Sequence, residues 1–413
     1  MNHFEVRRGA LWAEGVPLAT IAREVGTPTY VYSSATLRRH LEVVQQAFEA
    51  APHVICYSVK ANSTLAVLKL FAERGAGFDI VSAGELGRVL AAGGDPRKVV
   101  FSGVGKREDE MVAALRAGIL MFNVESAEEL SLLDRVGRQL GVRAPFSLRV
   151  NPDVDAKTHR YIATGLKTSK FGVPFEEAVA LYRQSRRLKG LVAVGVDCHI
   201  GSQLTDARPV KEAITRVGGL YAELKAQGFP LTHLDVGGGL GVTYSTEKPP
   251  GVAAYAKAVL GATKTLGATL VLEPGRVLVA NAGVLITRVL FRKQTPAKRF
   301  VIVDAGMNDL MRPALYEAHH DIVAVKPRRG AQATVEIVGP VCESTDVLGH
   351  SRRFGPLAQG DLLAIKTAGA YGMSMASTYN SRQRPAEVLV DGDDYRVVRT
   401  RDALEDLWRG ETP

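Results

Sequence analysis

His53-Val54-Ile55-Cys56-Tyr57-Ser58-Val59-Lys60-Ala61-Asn62 is a short apolar, β-branched run that stops on a lysine and an asparagine. Runs of this length and composition read as buried strands. Seven more follow at 77–81, 99–102, 120–124, 146–150, 191–199, 233–236 and 269–272. They end near turn-forming or polar residues, and segments of helical periodicity lie between them. In 210–224 the apolar positions Val210, Ala213, Ile214, Val217, Tyr221 and Leu224 recur on one helical face. The stretch 252–266 behaves alike. Ser82-x-x-Glu85 and Ser126-x-x-Glu129 have the spacing of capping boxes. Eight consecutive strand–helix units, over about 220–250 residues, predict an α/β fold with a (β/α)8 TIM-type barrel. A doubly wound sheet, the competing arrangement, usually has fewer strands.

Beyond Arg276 the pattern changes. Strand-like runs at 284–291, 300–304, 333–338, 362–367, 386–390 and 395–399 are joined by turns, and Asp391-Gly392 is a hairpin signal. The expected organisation is an N-terminal segment 1–26, a barrel 27–276, and a mostly-β domain of sandwich or barrel type at 277–413. The first segment is expected to pack on the β domain or to add an element to the barrel.

The chain has 413 residues, 46% apolar and 23% charged, which excludes a disordered or fibrous protein. Its net charge is +9, from 52 basic and 43 acidic residues. The basic residues are dispersed. The densest clusters, 326–329 and 382–384, lack interleaved aromatics, so the charge suits anionic small ligands better than nucleic acid. Cys56, Cys198 and Cys342 form no CxxC pair, which argues against a zinc knuckle or a disulfide framework and fits a reducing compartment. Met1–Arg8 has no apolar run behind its charges, so no signal peptide is expected. The most apolar long stretch, 277–291, is interrupted by Asn281, Thr287 and Arg288. No membrane association is expected, and the expected location is the cytoplasm.

Barrel active sites lie at the C-terminal ends of the strands. Lys60 closes the first run. A lysine held there loses hydration, which favours a neutral, nucleophilic amine and suggests Schiff-base chemistry. Taken alone, a strand-end lysine reaching solvent is the simpler explanation. Gly237, Gly238, Gly239 and Gly241 follow the seventh run. Val242 breaks any dinucleotide fingerprint, yet consecutive glycines leave N–H groups able to cradle a phosphate. A tight turn without ligand is the plain alternative. Glu273, in Glu273-Pro274-Gly275-Arg276, closes the eighth run and suits a ligand cation, or a salt bridge to Arg276. His199 follows the sixth run. Its nearest acidic neighbour, Asp197, lies a full pleat away, so no metal site is expected. Together, an amine, a phosphate cradle, a flat ring and a carboxylate meet the needs of pyridoxal 5'-phosphate. That cofactor requires an amine for its aldehyde, donors for its phosphate, and an acid that keeps its ring nitrogen protonated.

These motifs, with Asp197-Cys198-His199-Ile200-Gly201-Ser202-Gln203, Arg312-Pro313-Ala314-Leu315-Tyr316, Gly339-Pro340-Val341-Cys342-Glu343-Ser344 and Ala370-Tyr371-Gly372, resemble in content and order the barrel-type (fold-type III) pyridoxal-phosphate-dependent amino-acid decarboxylases. The resemblance spans about 27–375. It implies that Lys60 forms the Schiff base, that His199 stacks on the ring, and that Glu273 holds the pyridinium. It implies that Gly237, Gly238, Gly239, Ser202, Gly275, Arg276 and Tyr371 hold the phosphate. Asp79 would sit near the lysine and Arg149 under the cofactor, and Cys342 would donate a proton. It also implies a homodimer whose active site is shared, with the Cys342-Glu343 segment of one chain completing the barrel site of the other.

Arg276, Arg312, Tyr316 and Tyr371 would then meet a substrate carboxylate and Glu343 a second ammonium. Among such enzymes this favours the branch acting on meso-2,6-diaminopimelate, which carries an amino-acid head at each end. A decarboxylase of ornithine, arginine or a carboxylated polyamine is the alternative. A racemase, a non-catalytic cofactor carrier and a class I aldolase are more distant ones. Thr345 and His319-His320 depart from the family pattern and touch the substrate side alone.

Overall fold

A computed structural model describes residues 2–154 and 170–412. Among these residues, eight parallel strands form a closed barrel: His53–Ser58, Gly77–Ile80, Val99–Phe101, Met121–Val124, Ala144–Asn151, Leu191–Asp197, His233–Asp235 and Thr269–Leu272. Each pairs with its successor, and the eighth returns to the first through Leu270 opposite His53. All eight sequence-read runs are present, and the neighbour order is the order in sequence, as expected of a (β/α)8 barrel.

Pleating sets the two faces of the strands. In the first strand, Tyr57 packs edge-on against Phe71 of the helix Leu65–Ala72, with ring centres 4.7 Å apart. The next residue, Ser58, turns the other way and donates to Asp79 on the second strand. Helix Arg208–Ala226 buries the periodic face read from sequence, including Val210, Ala213, Ile214, Val217, Tyr221 and Leu224. Both capping serines accept from the N–H three residues on. The reciprocal arm differs from a strict capping box. Glu85 and Glu129 reach back one residue further, to the N–H groups of Val81 and Glu125.

Compact packing divides the chain into residues 41–243 with 247–277, which hold the barrel, and a second unit of 1–40, 244–246 and 278–413. The expected barrel start at residue 27 therefore gives way to a later one. Thr29–Ser33, buried at every position, is an inner strand of the second unit's sheet. It runs antiparallel to Gly283–Gln294 and parallel to Ala386–Asp391. A strand buried on both faces has no alternation to show where it belongs, and its partners lie more than 250 residues away. Phe4–Arg7, Ala10–Ala13 and Val16–Pro17 form a small antiparallel sheet. Its apolar residues share a core with Val31, Val284, Ile286, Val388 and Val390. Val347–Phe354, too charged to read as a strand, pairs with Ala333–Val338. No helix among the described residues is long and apolar enough to cross a membrane.

Candidate active site

The C-terminal rim of the barrel gathers ionisable groups that the sequence scatters over more than 200 positions. Lys60 lies two residues past the first strand, in the short helical turn Val59–Ala61. Its Nζ donates to Asp79 Oδ2 at 2.7 Å. Ser58 Oγ donates to the same oxygen at 2.8 Å, while Asp79 Oδ1 is buried with no hydrogen-bond partner among the described residues. The Lys60 side chain keeps 40% of its exposure, and the Asp79 side chain beneath it is wholly buried.

Glu273 ends the eighth strand, 6% exposed. Its Oε1 accepts from Ser102 Oγ at 3.2 Å and from Asn123 Nδ2 at 3.3 Å. Asn123 also donates to Asp235 Oδ2, and its own oxygen accepts from Ser147 at 2.6 Å. Oε2 lies 4.0 Å from His199 Nδ1. Burial first, then the Asp79 charge, push the Glu273 carboxyl up to about 7, against the pull of Lys60 and Arg149. Burial and Glu273 also raise Asp197 and Asp235 well above the usual carboxylate range. These carboxyls thus form an acid cluster that favours its protonated forms, with one Glu273 oxygen anchored by neutral donors and the other 4.0 Å from His199.

His199 Nδ1 accepts from the Gly238 N–H at 3.2 Å, so that nitrogen carries no proton. Burial, then Arg149 and Lys60, hold the imidazole well below its ordinary pKa. A neutral ring is therefore fixed beside the acid. Arg149 binds Glu125 at 3.1 Å. Burial works against its charge, but Glu125, Asp197 and Glu273 raise the pKa of the guanidinium. Glu125 also accepts from the Gly103 and Gly172 N–H groups.

The glycine turn is packed too tightly for any side chain. A Cβ on Gly238 would lie 2.0 Å from the Glu273 carbonyl, and one on Gly239 would lie 2.1 Å from that of Gly201. Gly237 and Gly239 hold φ values of +64° and +97°, which L side chains rarely adopt. Arg276 reaches Ser202 Oγ at 3.0 Å. This set fits pyridoxal phosphate: an amine, a bare-backbone turn with a guanidinium and a hydroxyl, and a carboxylate with one directed oxygen.

The second unit holds the remaining sequence-read residues. Arg312 opens the short helix Arg312–Tyr316, only 6% exposed, and Tyr316 on the same helix is half-buried. Cys342 and Glu343 stand exposed, so Cys342 is not the ordinary buried thiol, unlike Cys56 and Cys198. The Cys342 N–H donates to Asn380 Oδ1, and the Tyr379 hydroxyl donates to Glu343 Oε1 at 2.9 Å. Asp346 staples this loop, accepting from Met307 N–H at 2.6 Å and Val341 N–H at 2.7 Å. Tyr371 sits at φ +54° in a tight turn. Of the two departures, His319 holds Arg352 at 2.8 Å and Thr345 touches the Met307 sulfur. Sequence reasoning passed over Ser102, Asn123, Glu125, Asp235 and Asp346. Single polar residues beside strands carry no motif, and their partners lie on other segments of the chain.

Residues 34–280 match the pyridoxal binding domain of the pyridoxal-dependent decarboxylases. The chain is 54% identical to the diaminopimelate decarboxylase of Vibrio cholerae, covering 100% of this chain and 99% of that one. It is also 54% identical to that of Pseudomonas aeruginosa, with the same coverage. Among solved structures it is similar to Helicobacter pylori diaminopimelate decarboxylase complexed with L-lysine. The TM-score is 0.92 at 44% identity, covering 95% of this chain and 98% of that one. The chain belongs to the diaminopimelate decarboxylases, a branch of the pyridoxal-dependent decarboxylases.

Proposed function

We propose that this enzyme removes carbon dioxide from meso-2,6-diaminopimelate to give L-lysine, the terminal reaction of lysine formation, with pyridoxal 5'-phosphate as cofactor. The observation that carries this is the meeting of Lys60, Asp79, Glu273, His199 and the glycine turn at one barrel rim, in a chain 54% identical over its full length to a diaminopimelate decarboxylase. When bound, pyridoxal phosphate supplies an aldehyde that captures amines and a ring that accepts the electron pair left by carbon dioxide.

Each residue then has a task. Lys60 offers its amine, and Asp79 orients that amine and takes up its charge. Glu273, fixed through Oε1 by Ser102 and Asn123, would keep a proton on the ring nitrogen. His199 provides a neutral flat wall. Gly237, Gly238, Gly239, Gly275, Ser202, Arg276 and Tyr371 would hold the phosphate, and Arg149 would support the cofactor.

Arg276, Arg312, Tyr316 and Tyr371 bind the far carboxylate, and Glu343 the far ammonium. Cys342 returns a proton to the carbon that lost carbon dioxide. A homodimer completes the site: Cys342 and Glu343 are exposed on their own chain, as residues acting in a neighbour's barrel must be before assembly. The reaction and the free thiols suit the cytoplasm.

Carbon dioxide release from meso-diaminopimelate, L-ornithine, L-arginine and L-lysine tests the assignment. Turnover is expected with meso-diaminopimelate alone. Preference for a monocarboxylic substrate would overturn it.

A further inference from the structure

His320 is the most buried histidine of the substrate-side segment, at 0% exposure, and it touches Arg312. Its Nε2 lies 2.7 Å from Arg312 Nη1, and its Nδ1 lies 2.9 Å from the Lys366 carbonyl oxygen. A carbonyl can only accept, so the ring proton is on Nδ1, and the Nε2 lone pair accepts from the guanidinium. The Lys366 N–H is in turn bonded to the Asp321 carbonyl at 2.8 Å, which fixes the anchor beyond the strand Leu362–Ile365. Tyr244, 7% exposed, provides a floor. The Arg312 guanidinium carbon stands 4.3 Å from the Tyr244 ring centre, and the His320 ring meets the same ring edge-on at 5.3 Å and 75°.

We infer that His320 is a specificity-determining positioning residue, which with Tyr244 holds the Arg312 guanidinium in place for the distal carboxylate of the substrate. This rests on the reading of Arg312 as the grip on that carboxylate. The physical reason lies in the kind of partner chosen. A carboxylate in place of His320 would orient the arginine equally well but would neutralise it and compete with the ligand. An imidazole lone pair and an aromatic face orient without neutralising. A guanidinium held rigidly also loses less freedom when a ligand binds. The departure His319-His320 thereby divides in two. His319 serves Arg352, and His320 serves Arg312.

Two substitutions separate the acceptor from the bulk of the ring. In His320→Gln the amide reaches the position of Nε2 and can still accept from Arg312. In His320→Asn it reaches only as far as Nδ1, keeping the Lys366 contact and losing the other. On the pyridoxal-loaded enzyme, His320→Asn is expected to raise KM for meso-diaminopimelate roughly ten-fold with kcat nearly unchanged. It should weaken inhibition by L-lysine, which keeps the distal carboxylate, by a similar factor. It should leave inhibition by the diamine cadaverine, which lacks that carboxylate, where it was. His320→Gln should recover most of the loss. Equal behaviour of the two variants, or an equal loss for lysine and cadaverine, would overturn the inference. Arg312→Ala serves as the reference. If it leaves KM and lysine inhibition unchanged, the reading of Arg312 itself fails. If it raises both while His320→Asn changes neither, the role of His320 alone fails.

Discussion

Lys60 Nζ and Asp79 Oδ2 are 2.7 Å apart, with the aspartate wholly buried and the lysine open to the barrel mouth. Ser58 Oγ donates to the same Asp79 oxygen, so one carboxylate atom holds both the hydroxyl and the amine. Lys60→Ala is expected to abolish both the visible absorbance of the loaded protein and its activity. Absorption spectra of the purified variant settle the point, and colour that survives the change would refute the lysine assignment.

Glu273 gives a pH prediction. Its carboxyl is raised from 4.5 to about 7, so between those values the cofactor-free folded chain holds a proton that the unfolded chain has released. Stability contributed by this group is therefore full below about 4.5 and is lost as the pH rises through 7. Thermal melts of the cofactor-free protein should show Tm falling over that window, with a shallower fall in Glu273→Gln. The same variant, unable to hold a ring proton, should lose roughly 100-fold or more in kcat.

Gly238→Ala drives a methyl group to 2.0 Å from the Glu273 carbonyl. The strand end must move, at a cost of about 1–3 kcal/mol or more in stability. Because that carbonyl belongs to the residue expected to hold the ring, cofactor affinity should fall with it. Titration with pyridoxal phosphate, followed by absorbance, measures the second effect apart from the first.

Asn123 joins Ser102, Ser147, Asp235 and Glu273 across four strands. Asn123→Ala leaves buried acceptors without donors and should cost about 1–3 kcal/mol. Asn123→Asp adds a carboxylate to a cluster already rich in them and should cost more. Denaturant midpoints of the two variants give the order, and a milder effect for Asp would contradict this account of the acid cluster.

Asp346 carries a prediction on the substrate side. Asp346→Ala frees the Met307 and Val341 N–H groups and slackens the Cys342-Glu343 loop. Turnover of meso-diaminopimelate should drop at least ten-fold, while the visible absorbance of the bound cofactor stays unchanged. Loss of that absorbance would mean that the loop supports the barrel site directly.

The barrel was legible from sequence because its strands are local objects. The eight apolar runs and the helical faces between them are written at the scale of a few residues, and the right-handed strand–helix crossover leaves little freedom in joining them. The residue types at the strand ends named the chemistry: an amine, a run of glycines, an acid. What they share with the rest of the chain was decided in three dimensions. That Thr29–Ser33 belongs to the second unit depends on partners more than 250 residues away. That Lys60 meets a carboxylate depends on Asp79 from the neighbouring strand. That Glu273 holds a proton near neutrality depends on burial and on carboxylates from other strands. That His320 faces Arg312 depends on a carbonyl 46 residues further on. Periodicity and motif record what a residue is and which way it points along its own element. Charge, burial and hydrogen bonding depend on which elements meet, and only the folded chain sets those distances.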